Sequence, residues 1–232
     1  MSEVMQGFPS SQPNQVTLAN WRTAPYCHWA FHHVREIVPS AEIPFETYRN
    51  GMTARDPHIL MSVSKSMLGL VAGTLIERNE IKEEDLITTY IPELAKSAYS
   101  GATVRNLLDM RVGVLFDEDY LATSGPIIDY RYAANWNPVP KDREAEDLRS
   151  FMSILTEVDG SHGSRFHYVS PNTDLLAWVL ERATGIRYAD LVSERLWKPL
   201  GAEASGYITV DRIGGARAAG GCLLYTSPSP RD

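Results

Sequence analysis

The chain has 232 residues, 44% of them hydrophobic and 22% charged, which suits one or at most two soluble globular domains. A net charge of −7 argues against a nucleic-acid or acidic-membrane partner, because both need a basic face. The two cysteines, Cys27 and Cys222, are too few for a disulfide framework, and a reduced, cytoplasmic setting is expected.

Residues 1–44 read as an N-terminal lead-in with one short helix. The first fifteen, MSEVMQGFPSSQPNQ, have neither a basic n-region nor an apolar h-region, so they do not read as a secretory signal. No apolar run approaches the roughly 18 residues needed to cross a bilayer. Trp29–Val38 places Trp29, His33 or Val34, and Ile37 on one face and predicts the short helix. Phe45–Tyr48, closed by Asn50-Gly51, reads as a strand end entering a turn. Ile59, Leu60 and Met61 then lead into the strongest helical pattern of the chain, Ser62–Arg78, with Met67, Leu70 or Val71, Thr74 and Leu75 at helical spacing.

Thr103 is placed to cap a second helix, VRNLLDM, anchored by Leu107, Leu108 and Met110. The acidic, proline-interrupted stretch Phe116–Asp147 shows little periodicity and reads as a long loop. Asn172–Thr184 reads as a helix capped by Asn172 and stopped at Gly185, and Ala189–Trp197 as another. The last eleven residues, CLLYTSPSPRD (222–232), match an in-frame translation of a sequencing-library adapter. The native reading frame is therefore expected to run to about Gly221 and the natural protein to continue beyond it. That leaves 45–221 as a partial domain.

Ser62-Val63-Ser64-Lys65 is an S-x-x-K sequence opening a helix. Three residues is about one helical turn, so Lys65 comes beside Ser62 on one face, while the positive end of the helix dipole favours a developing alkoxide at Ser62. For Lys65 to accept a proton, burial or a second cation must hold it as the neutral amine. Spacing alone is equally met by a Ser cap beside an exposed Lys. The second signal is Tyr168-Val169-Ser170, just before a helix. It offers the same site a phenol, able to shuttle a proton if Lys65 favours its phenolate, and a hydroxyl. Tyr48-Arg49-Asn50 repeats the Tyr-x-Asn pattern at a probable turn and is set aside.

LMSVSKSM, TVRNLLDM, FHYVSPNTDLLAWVLERATG and LWKPLGAE together resemble, in order and spacing, the serine β-lactamase and penicillin-binding-protein-like hydrolases. The resemblance is closest to their 6-aminohexanoate-dimer hydrolase branch and covers nearly all of residues 1–221. It implies a mixed α/β (α+β) fold of the serine β-lactamase type, with a helical subdomain on an antiparallel sheet whose C-terminal strands follow position 221. It also implies Ser62 as the acylated nucleophile, Lys65 as its partner, Tyr168 as general acid/base, Ser170 as a small polar residue lining the site, and Tyr120 as a loop tyrosine that hydrogen-bonds the substrate amide.

Two departures stand against the family pattern. A segment with a first strand is nearly absent between Pro44 and Phe45. The third motif, which supplies the second oxyanion-hole N–H, lies beyond Gly221, and losing one such donor costs about 2.7–4 kcal/mol in the transition state. Turnover by these residues alone is therefore not expected.

His28, His32 and Glu36 at i, i+4, i+8 read as a polar stripe rather than a metal site, and Asp117-Glu118-Asp119 as solvated acids rather than a calcium site. Arg165 and His167 read as solvated charges. The Gly214-Gly215 and Gly220-Gly221 pairs lack the strand and helix context of a nucleotide fingerprint. The expected activity is hydrolysis of a small-molecule amide or ester through an acyl-enzyme on Ser62, with no cofactor and no metal. A DD-peptidase or class C β-lactamase-like enzyme, and a non-catalytic ligand-binding relative, stay open as alternatives.

Overall fold

Helix α1 spans Ser64–Glu77 in the computed structural model, which describes residues 5–7, 53, 56–144, 146–202 and 205–224. The helix expected from Ser62 thus forms, but its first turn, Met61–Val63, is a 3-10 turn that carries Ser62. Met67, Leu68, Val71, Ala72 and Leu75 are buried, a strip two residues wide that repeats with the helical period. Val71 is the inward residue of the Leu70–Val71 pair, and Leu70 is half exposed.

Helix α2 (Ile87–Tyr90) and a 3-10 turn over Pro92–Lys96 lead to α3 (Val104–Leu108). Thr103 caps α3 as expected. Its Oγ1 accepts from Asn106 N at 3.2 Å while Asn106 Oδ1 accepts from Thr103 N at 3.0 Å, so two otherwise orphaned N–H groups are satisfied reciprocally.

The stretch read as a long loop is not all loop. Pro126–Ala133 forms α4, started by Pro126 and burying Ile127, Tyr130 and Ala133. Three buried positions in eight residues are too few for periodicity to register. Tertiary contact holds the helix instead: Tyr130 meets Phe116 at a ring-centroid distance of 6.2 Å and Phe151 at 5.7 Å. Phe151 lies on α5 (Leu148–Ile154), which Asp147 caps by accepting from Ser150 N at 2.9 Å.

Helix α6 runs from Ser170 to Thr184, two residues earlier than the expected start at Asn172, with Pro171 in its first turn. Asn172 is therefore an interior residue and not the cap. Residues 170–180 are all buried, and the helix packs against α1, α2, α3 and α5, which makes it the centre of the helical layer. It stops where predicted, at Gly185, whose φ of 72° is the left-handed conformation glycine adopts cheaply. Helix α7 (Tyr188–Val192), a π turn (Ser193–Trp197) and α8 (Lys198–Leu200) follow, covering the expected Ala189–Trp197 helix.

Among the described residues, four short strands complete a mixed α/β fold: β1 (Met5–Gly7), β2 (His58–Ile59), β3 (Tyr207–Thr209) and β4 (Cys222–Leu224). They form one antiparallel sheet in the order β1-β3-β4-β2, with Ile208 opposite Cys222 and Ile59 opposite Leu223. Residues 222–224, set aside above as tail, are thus an inner strand of the sheet. A Cβ at Gly221 would stand 2.1 Å from Thr209 Oγ1 and 2.7 Å from Arg217 O, so only glycine fits where β4 begins. The helix expected at 29–38, the strand at 45–48, Tyr48, Cys27, His28, His32 and Glu36 and residues 225–232 lie outside the described residues.

Candidate active site

The turn that presents Ser62 is held from both sides. Leu60 N–H donates to Cys222 O at 2.8 Å, and Ser64 Oγ accepts from Cys222 N at 3.2 Å, so β4 fixes the entry to α1. Between them Met61 has a φ of 47°, an uncommon conformation for a residue with a Cβ. Such local strain persists only where the surroundings over-determine it.

Lys65, one turn on, points back at Ser62 as its spacing requires. Its Nζ is 3.3 Å from Ser62 Oγ, 3.1 Å from Ser170 Oγ and 2.6 Å from Ala219 O, and 5.0 Å from the centre of the Tyr168 ring. Tyr168 approaches from the segment before α6, and its hydroxyl donates to Ser62 Oγ at 2.8 Å. That segment is pinned by main-chain bonds, His167 N–H to Met110 O and Gly163 N–H to Arg111 O, both at 2.7 Å. The structure therefore brings Ser62, Lys65, Tyr168 and Ser170 together although 105 residues separate Lys65 from Ser170.

Glu118 is the residue that sequence reasoning misplaced. It was read with Asp117 and Asp119 as a solvated acid. In the structure its Oε2 accepts from Ser170 N at 2.5 Å, and its Oε1 accepts from Ser170 Oγ at 2.6 Å and from Tyr120 OH at 2.6 Å. Tyr120 is 62% exposed, and burial of its hydroxyl beside Glu118 pushes that phenol up. Arg165 is exposed as expected and pairs with Asp159; His167 is only partly exposed, and its Nδ1 is buried.

Asp174, unassigned in the sequence, lies buried behind the site on α6. It accepts from Tyr130 OH at 2.6 Å and from Ala219 N at 2.7 Å, and burial pushes its carboxyl up to about 6. Its second bond fixes the peptide next to the carbonyl that receives Lys65. One acid set directly before the apolar run LLAWVL was the available signal. Among the described residues, no group of three or more His, Cys, Asp or Glu side chains is arranged to hold a metal ion. No helix among them is long and apolar enough to cross a membrane.

Ser62 opens onto a cleft of about 330 Å³, lined also by Glu118, Tyr120, Trp136, Arg131 and Arg217. A protein-family model described as beta-lactamase matches residues 44–222, a span that holds every one of these side chains. The chain belongs to the beta-lactamase family. Within it, the chain is 33% identical to the 6-aminohexanoate-dimer hydrolase of Paenarthrobacter ureafaciens, over 92% of this chain and 65% of that protein. A solved structure from Bacillus anthracis, provisionally named a 6-aminohexanoate-dimer hydrolase, superposes with a TM-score of 0.70 at 29% identity, over 78% of this chain and 47% of that one. The structure of a D-stereospecific amidohydrolase from Streptomyces gives 0.55 at 20% identity, over 75% of this chain and 59% of that one, a likeness of fold. The chain thus spans about half to two thirds of the length of these relatives.

Proposed function

We propose that the protein is a serine hydrolase that forms an acyl-enzyme on Ser62 and cleaves amide or ester bonds of small molecules. The observation that carries the reading is the double contact on Ser62 Oγ, from Lys65 Nζ at 3.3 Å and Tyr168 OH at 2.8 Å, at the edge of an open cleft. A serine hydroxyl is a weak nucleophile until a base takes its proton, and a neighbour within hydrogen-bond reach is the geometric requirement.

The acceptors around Lys65 orient it for that role. Ser170 Oγ–H is committed to Glu118, so Ser170 Oγ accepts from Lys65, and Ala219 O accepts a second N–H. With these two acceptors served, the remaining position on Nζ faces Ser62 Oγ at 3.3 Å.

In the proposed reaction the proton of Ser62 passes to Lys65 Nζ as Oγ bonds to the substrate carbonyl carbon, and the carbonyl π pair moves to oxygen. Collapse of that intermediate breaks the amide or ester bond. Tyr168 OH gives its proton to the departing nitrogen or oxygen and recovers one from Lys65. Water then attacks the acyl-enzyme by the reverse sequence. The relatives' names describe hydrolysis of an amide made from 6-aminohexanoate, which supports a small linear amide as substrate class. The test is pre-steady-state hydrolysis of a p-nitrophenyl ester by the full-length protein. A burst of p-nitrophenol equal to the active-site concentration, absent in Ser62→Ala, is expected; linear release that survives in Ser62→Ala would overturn the reading.

A further inference from the structure

Tyr168 reaches Ser62 from the end of a segment, residues 157–168, that runs antiparallel to residues 110–115. Leu115 N–H donates to Glu157 O at 2.9 Å and Asp159 N–H to Gly113 O at 2.7 Å, with Val114 bridged to Val158. In a regular antiparallel pair Gly113 N–H would return the bond to residue 159. Here it turns to a side chain instead: His162 Nδ1 accepts from Gly113 N at 3.1 Å. The chain bulges at this point. Gly160 and Gly163 have φ of 97° and 80°, and Gly160 O lies 2.0 Å from where a Cβ on Gly113 would stand.

Because Nδ1 accepts from Gly113, the ring proton sits on Nε2, which donates to Ser100 O at 2.9 Å. One imidazole thus joins three separate pieces of chain through both of its nitrogens. Gly113 is buried, so losing the ring would strip a buried donor of its acceptor. Beyond the bulge, Gly163 N–H and His167 N–H donate to Arg111 O and Met110 O, while Ser164, Arg165 and Phe166 between them are exposed. The aim of Tyr168 therefore depends on a few anchors to residues 110–115, and His162 supplies one where the main chain leaves its register.

We infer that His162 is a positioning residue: its bonds to Gly113 N and Ser100 O hold the segment that aims the Tyr168 hydroxyl at Ser62 Oγ. The ring does not line the cleft, so it acts through Tyr168. The kinetic side of the inference rests on the hydrolase reading, in which that hydroxyl gives its proton to the leaving group. The first arm of the test measures turnover of the p-nitroanilide of 6-aminohexanoate by full-length variants. His162→Phe keeps the ring and loses both nitrogens, and its kcat is expected to fall roughly 10–100-fold, the size of a small misplacement of a reacting group. His162→Asn sets an oxygen where Nδ1 stood and is expected to return kcat to within about threefold of wild type. In the Tyr168→Phe background, His162→Phe is expected to cost no more than about threefold further, because the two residues act as a unit. If His162→Phe does not fold, His162→Gln, which keeps the reach to Ser100 O and loses the acceptor for Gly113, takes its place in both comparisons.

A kcat for His162→Phe within twofold of wild type, an Asn variant no better than the Phe variant, or a fully additive loss in the double mutant would overturn the inference. The second arm needs no substrate. Hydrogen exchange of the peptide spanning 157–168, read by mass spectrometry, is expected to quicken at least about tenfold in His162→Phe and to slow again in His162→Asn. That response in a protein that turns over no anilide and no ester supports the anchoring by His162 and counts against the hydrolase reading alone. Unchanged exchange in His162→Phe would overturn the anchoring and leave the hydrolase reading standing.

Discussion

Glu118→Gln keeps the shape of the side chain and removes its charge and half of its acceptor capacity. In the native site three donors converge on it: Ser170 N at 2.5 Å, Ser170 Oγ at 2.6 Å and Tyr120 OH at 2.6 Å. A glutamine cannot serve all three. With its oxygen toward the two hydroxyls, its NH₂ faces the Ser170 N–H. With its oxygen toward that N–H, its NH₂ faces the hydroxyls, and Ser170 must turn its proton toward Lys65, against the N–H that Lys65 donates to Ser170 Oγ at 3.1 Å. At least one charge-assisted bond is lost in either orientation, about 1.5–3 kcal/mol. Felt fully in the transition state, that is roughly 10–150-fold in rate. The assay is steady-state hydrolysis of a p-nitrophenyl ester beside a thermal melt of the same preparation. The expected result is a kcat at least about tenfold lower with the protein still folded. A kcat within twofold of wild type would refute the claim that Glu118 sets the donor pattern around Lys65.

Tyr168→Phe removes the hydroxyl 2.8 Å from Ser62 Oγ and keeps the ring, so kcat is expected to fall by roughly 10²–10⁴ with little change in folding. Lys65→Ala should be comparably severe and non-additive with it in the double mutant, because the two act on one oxygen; near-normal turnover by either single variant would disprove the assigned roles. Burial raises Asp174 to about 6, against the opposing effects of Tyr130, Arg217, Ala219 and Lys65. The folded state therefore binds this proton more tightly than the unfolded chain. The stability it adds is full below about pH 4 and is lost as pH rises through 6, on the order of 3 kcal/mol. Asp174→Asn should flatten that part of the stability profile, and urea midpoints with an unchanged slope between pH 4 and 7 would contradict the sign. Gly221→Ala would put a Cβ 2.7 Å from Arg217 O, and overpacking there is expected to cost about 1–3 kcal/mol, read as a lower melting temperature.

What the sequence disclosed follows from how local each signal is. Ser62 and Lys65 are one helical turn apart, so their meeting is dictated by geometry that any S-x-x-K helix shares. Tyr168 and Ser170 were legible because they stand at the entry to a well-marked helix. Thr103 and Gly185 stand where capping chemistry demands them, and both hold those positions. Glu118 was hidden because an Asp-Glu-Asp run looks solvated, and what turns the middle acid inward is Ser170, 52 residues away. Arg217 and Trp136 meet across a still longer stretch of chain, and neither lies in a motif. Helix α4 was missed because only tertiary contact to Phe116 and Phe151 distinguishes its three buried residues from a loop. The inner position of β4 depends on partners at 58–59 and 207–208, and a three-residue strand has no pattern that announces such pairing.

The account turns on Ser62 being the atom that attacks. Treating the protein with a fluorophosphonate and locating the adduct by peptide mass measures this directly. The account predicts one adduct, on the peptide containing Ser62, formed at a rate that falls in Lys65→Ala. An adduct on Ser64 or Ser170, or ester hydrolysis that continues with no adduct on Ser62, would contradict it.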